Sequence, residues 1–205
     1  HFDGSLTLTN HATNLILPGG ANITTAAGDI ALVFEYATAQ YRVIYQRASG
    51  LPVVGAGGKL AQYKKTQSTS AASTTSVIPG DNTKPQNSEG AELVTLAITP
   101  ISASNDLEIE FSSNFSCNGA ITGIFALFVD SAADALCASA ITVTASGYVY
   151  QAALRYTVAA GSTSARTYKI RYGPASTGTM WVNQTSVSLL NATWTTLLTI
   201  KEIAP

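Results

Sequence analysis

Leu107-Glu108-Ile109-Glu110-Phe111 opens the stretch that decides the fold, residues 107–157. Apolar side chains fall on alternate positions and the two carboxylates point the other way, which is the period of a half-buried strand. Residues 121–129 are apolar almost throughout, as in a strand covered on both faces. Residues 148–158 alternate again. A doubly covered strand between half-buried ones needs something over its second face. The pattern alone leaves open whether another sheet or another subunit supplies it.

The same strand signals continue on either side. Downstream, strands are predicted at 138–144, 165–172, 179–182 and 194–203, and upstream at 93–99, with 66–76 extended on its Thr content. The best helical candidate, the Ala-rich segment 131–138, is too short to convince. Nearer the start, Leu6 and Leu8 alternate with Thr7 and Thr9, and strands are expected over 23–25, 30–36 and 41–47. Pro18-Gly19-Gly20 after Leu15-Ile16-Leu17 predicts a type II turn, Pro presetting φ and Gly accepting φ > 0. About nine or ten strands with essentially no helix make an all-β chain. We read it as a small N-terminal β-meander module over residues 1–52, then a jelly-roll β-sandwich over 53–205. About 45 residues of meander bury too little to stand alone.

Residues 50–58 carry four Gly and one Pro and read as a linker. Gly55 to Lys59 is a poor phosphate loop: the spacing fails, no Ser or Thr follows the Lys, and no helix follows. The polar loop 79–90, pinned by Pro79 and Pro85, is longer than most connections and marks a functional or interface loop.

Only 11% of residues are charged against 46% hydrophobic, where an ordinary soluble domain carries about 25% charge. Such a surface is wetted by Ser and Thr hydroxyls or covered by partner subunits, which points to an extracellular or virion-type oligomer. Closed threefold symmetry would turn an apolar outer face into interior. The net charge of −1 offers no basic field for nucleic acid or anionic lipid. No apolar run is long enough for membrane insertion. The chain opens at His1, as a processed or truncated piece would. Cys117 and Cys137 are either two buried thiols or one disulfide.

Two groups of residues resemble a known family. Residues 15–29, from Leu15-Ile16-Leu17-Pro18-Gly19-Gly20 to Ala26-Ala27-Gly28-Asp29, followed by Tyr45-Gln46-Arg47-Ala48, resemble a module of tailed-phage tail fibres and tailspikes. Ile78-Pro79-Gly80-Asp81-Asn82-Thr83, Pro85-Gln86-Asn87-Ser88-Glu89-Gly90, Ile98-Thr99-Pro100 and the closing Leu198-Thr199-Ile200-Lys201-Glu202-Ile203 resemble the C-terminal β-sandwich that often ends such chains. The resemblance implies a jelly roll related to tumour-necrosis-factor-like trimers. It implies a homotrimer in a virion, in contact with other virion structural proteins and with a host surface glycan or protein. A head fibre or decoration protein without a receptor role is the alternative. The resemblance brings no catalytic residues and no cofactor.

Little in the chain itself points to an enzyme. His occurs only at positions 1 and 11, which nearly excludes a Ser-His-Asp or Cys-His set. The cysteines fit no zinc spacing and no other metal site is expected. Glu108 and Glu110 share a strand face about 6.6–7 Å apart, a separation that an inverting polysaccharide depolymerase could use. Two carboxylates that keep an outer face wet explain them more simply. For ligand contact, an aromatic near a loop tip can lie against a sugar ring. The region 172–183 is therefore the candidate contact surface, with Tyr172, Thr179, Trp181 and Asn183. The competing expectation is that Trp181 packs in the core or a subunit interface.

Overall fold

The computed structural model describes residues 1–50, 59–190 and 193–205. They form two compact units, His1–Lys59 and Leu60–Ala204. The linker predicted at 50–58, apart from Gly50, and the boundary predicted between residues 52 and 53 lie outside the described residues.

The first unit holds β1 (Thr7–Leu8), β2 (Leu15–Ile16), β3 (Ile23–Thr24), β4 (Ile30–Ala37) and β5 (Gln40–Gln46). It departs from a plain meander. β1 pairs with β3, while β2 runs parallel to β5, giving the order β2-β5-β4. The chain can turn this way because residues 17–20 form the expected type II turn. Gly19 sits at φ 76° and ψ 1°, and the Gly20 N–H donates to the Leu17 carbonyl at 3.0 Å. Leu17, Ile23, Val43 and Tyr45 are the buried core, with Phe2, Leu8, Leu15 and Ala31 packed against it.

Polar residues in and around the 15–29 stretch hold that core in place. The buried Asp29 carboxylate accepts the amides of Ala26 at 2.8 Å and Ala48 at 2.9 Å, and the Tyr45 hydroxyl. The hydrogen bond from Tyr45, then those from Ala48 and Ala26, keep Asp29 below the usual carboxylate range. Asn22 Oδ1 accepts the Asn10 amide at 2.8 Å, and Asn10 Oδ1 accepts that of Leu17 at 3.0 Å. Thr25 Oγ1 accepts from Leu6 and donates to Gly4.

The second unit is a two-sheet sandwich. Its strands are β6 (Lys59–Ser68), β7 (Ala72–Thr74), β8 (Ala91–Ile98), β9 (Asp106–Cys117), β10 (Thr122–Val129), β11 (Cys137–Thr142), β12 (Val149–Ala159), β13 (Arg166–Pro174), β14 (Met180–Val182) and β15 (Thr196–Ala204). One sheet runs β11-β10-β13-β8. In the other, β9 pairs with β12 along one edge. Its opposite edge is shared by β15 and β14, which β6 and β7 extend. β8, β9 and β10 alternate between sheets, and β11, β12, β13 and β15 return beside them, which is the jelly-roll order.

Phe111, Phe115 and Phe125 meet between the sheets at centroid distances of 5.3 Å. Gly123 makes room for them, since a Cβ there would lie 2.4 Å from the Phe115 ring. The segment 131–136 is irregular rather than helical.

The second face of β10 is covered by the chain's own loops, not by another sheet or subunit. Phe125 and Leu127 face the main core, while Ala126 and Phe128 cluster with Ala135 on the other side. Ala135 is held by its N–H to the Pro85 carbonyl at 2.9 Å, and the Asn87 N–H donates to the Ala133 carbonyl at 2.7 Å. Gln86 Nε2 donates to Asp134 Oδ1 at 2.9 Å. Arg171 fastens the end of the 79–90 loop, donating to the carbonyls of Glu89 at 2.6 Å and Gly90 at 2.9 Å. The loop that its length marked as an interface is therefore, at this end, a lid on its own sheet.

Candidate functional site

The outer face of the six-stranded sheet carries a concavity. β9 sends Leu107, Ile109 and Phe111 into the core, so Glu108, Glu110 and Ser112 face outward. Register sets Glu110 between Arg155 of β12 and Thr199 of β15, and Ser112 between Ala153 and Leu197. The short side chains of Ser112 and Ala153 form a floor among the taller Tyr63, Arg155 and Lys201, leaving a cleft of about 270 Å³.

In the cleft one carboxylate sits between two cations. Lys201 Nζ lies 3.1 Å from Glu110 Oε2, and Arg155 Nε lies 3.5 Å from Oε1. Both oxygens of Glu110 are thus engaged by cations. That suits an anchor for neighbouring strands better than an acid that must give up a proton to a leaving group. Arg155 keeps 85% of its side chain exposed and Tyr63 is 47% exposed, so a polar donor and an aromatic ring are both open to solvent.

Of the four predicted contact residues, two lie inside the fold. Tyr172 is 2% exposed and stacks on Phe125 at 6.3 Å. Burial pushes its phenol up to about 12. Asn183 is also 2% exposed. Its Nδ2 donates to the carbonyls of Ser68 at 3.2 Å and Ser70 at 3.3 Å, and to Thr196 Oγ1 at 3.1 Å. It ties the β6–β7 connection to the start of β15. Alternation along β13 and the polar tether of Asn183 remove both side chains from the surface.

Thr179 is half-buried and exchanges hydrogen bonds with Asn118, its N–H donating to Oδ1 at 3.0 Å. Trp181 is half-buried opposite Ser116 and Ser73, on the same outer face as Glu110. The structure therefore leaves Trp181 as the surface aromatic of the predicted set. It adds Tyr63, Arg155 and Lys201, which lie far from it in sequence and which no local pattern singled out.

Among the described residues no group of three or more His, Cys, Asp and Glu is placed to hold a metal. Cys117 is buried and Cys137 half-buried, and both are free thiols. Burial pushes the Cys117 thiol up to about 11. No helix among the described residues is long and apolar enough to cross a membrane.

No protein-family profile matches the chain, and no curated protein does. Among solved structures, the enzymatically active domain of bacteriophage CBA120 tailspike protein 4 is similar at 13% identity and a TM-score of 0.26, over 60% of this chain. The structure of infectious bursal disease virus, Gx strain, is similar at 12% identity and a TM-score of 0.33, over 98% of this chain. The VP2 subviral particle of that virus matches at 12% identity and a TM-score of 0.29, over 89%. This chain spans 19% of the tailspike chain, 57% of the Gx chain and 51% of the VP2 chain. Likeness of this order places the chain in no family.

Proposed function

We propose that this chain is a virion structural protein, the distal part of a homotrimeric phage tail fibre or spike that binds the host cell surface. The observation that carries the reading is the way the phage-like stretch folds. Asp29, Thr25 and Asn22 within it, with Tyr45 and Ala48 beyond it, close one hydrogen-bonded unit. Residues that look like a fibre module by sequence are the ones that build this unit, so the resemblance follows a folded module rather than scattered coincidences.

Host contact falls to the outer face of the six-stranded sheet, where Tyr63, Trp181 and Arg155 offer ring faces and a guanidinium to a surface glycan or protein. Light scattering on the purified chain should give about three times the 21.3 kDa chain mass. Labelled chain should bind some bacterial strains saturably, and Tyr63→Ala and Trp181→Ala should weaken that binding without loss of the trimer. A trimer that adsorbs to no cell would be a head fibre or decoration protein instead. A monomer would remove the trimeric reading altogether.

A further inference from the structure

We infer that the outer face of the β4–β5 hairpin in the N-terminal unit is where copies of this chain meet, each hairpin packing on its equivalent in the next copy. The inference rests on the homotrimeric reading and assigns its contact.

Register puts Ile30, Leu32 and Phe34 of β4 on one face with Ile44 and Arg42 of β5, opposite the face that carries Val43 and Tyr45. On it Ile30 is 46% exposed, Leu32 56%, Phe34 49% and Ile44 59%. Tyr36, 46% exposed, joins them, with the Arg42 guanidinium 4.8 Å from its ring centroid. At about 200 Å² for a large side chain, these five leave roughly 500 Å² of mostly apolar surface in water, much of the ~800 Å² per partner in a stable interface. The buried apolar core of this unit, Leu17, Ile23, Val43 and Tyr45, is small.

The strand edge points the same way. β4 ends its sheet. Natural edges are blunted by Lys, Pro, bulges or inward charges. β4 has its bulge and its one charge, Glu35 on the opposite face, at its far end, so residues 30–34 carry none of these devices. Arg42, already over Tyr36, is the one charged side chain of the outer face. A face so nearly free of charge offers a charged partner nothing to read. It matches another apolar stripe, and every copy of the chain brings one. The sandwich makes no such demand at β10, whose second face its own loops already cover.

The test is analytical ultracentrifugation of the full chain against Leu32→Asp/Ile44→Asp, with Ile101→Asp as control, since Ile101 is 63% exposed in the other unit. The wild type and Ile101→Asp should sediment as trimers. The double variant should dissociate at least a hundredfold more readily. Because that variant could unfold the unit, Phe34→Cys under oxidising conditions gives a second readout: it should crosslink copies, whereas Ile101→Cys should not. A double variant as tightly trimeric as wild type, with no Phe34→Cys crosslink, overturns this contact and leaves the trimer standing. A monomeric wild type overturns both, and its hairpin would then be covered within one chain or by a different protein.

Discussion

At Asp29 and Glu202, single carboxylates organise whole units. The Glu202 side chain is fully buried on β15. It accepts from Gln62 Nε2 at 2.6 Å, Asn105 Nδ2 at 2.6 Å, and the amides of Ile101 at 2.8 Å and Ser102 at 3.1 Å. Burial alone would raise its pKa, but those donors outweigh it and hold it below the usual glutamate value. Glu202→Leu strands the donors at roughly 1–3 kcal/mol each, so it should be among the most destabilising changes in the sandwich, read by urea denaturation. Asp29 has a depressed folded pKa, so its contribution is complete above the unfolded value of 3.8 and is lost as pH falls through the folded one. Tyr45 is pushed up to about 12 by burial and by Asp29, so its contribution is lost on the alkaline side, between about 10 and 12. Hydrogen-exchange protection of the Ala26 and Ala48 amides, relative to the unfolded chain at the same pH, should fall at both extremes. Asp29→Asn should move the acid limb. Glu110→Gln, by contrast, trims a partly exposed ion pair and should cost no more than about 1 kcal/mol. If it abolished cleavage of a host polysaccharide, the binding role would have to give way to hydrolysis.

Strands were legible wherever the alternation was long. The strands expected over 121–129 and 148–158 match β10 and β12 with ends shifted by at most one residue, and the alternation that opens at Leu107 is carried by β9. Their periodicity reports burial directly, so little can override it. What covers β10 was not legible, because Pro85, Asn87 and Ala135 act through backbone groups that leave no mark on hydropathy. The candidate cleft was hidden for a related reason: Tyr63, Glu110, Arg155 and Lys201 sit on four strands, and only register brings them together. Tyr172 and Asn183 misled because an aromatic and an amide near glycines look the same in sequence whether they face solvent or fill a gap. A consequence at this scale concerns Gly123. A methyl there collides with Phe115, itself wedged against Phe125 and Tyr150, so Gly123→Ala should destabilise the sandwich by about 1–3 kcal/mol in denaturant melts.

Considered whole, the molecule joins a sandwich with a large buried core to a unit that leaves much of its sheet in water. Diluting the chain below its dissociation constant should therefore speed amide exchange in the first unit and leave the second unchanged. The position of β15 has a different outcome. It lies between β6 and β9, so the sheet's middle is filled by residues 196–204, and Gln62 meets its partner Glu202 across 140 positions of chain. Until those residues have left the ribosome, the strands on either side face a gap. The nascent sandwich must wait, open and exposed to chaperones, for one of its last strands to arrive. Refolding in vitro should be slow for the same reason, since topology this non-local is traversed in milliseconds to seconds rather than microseconds.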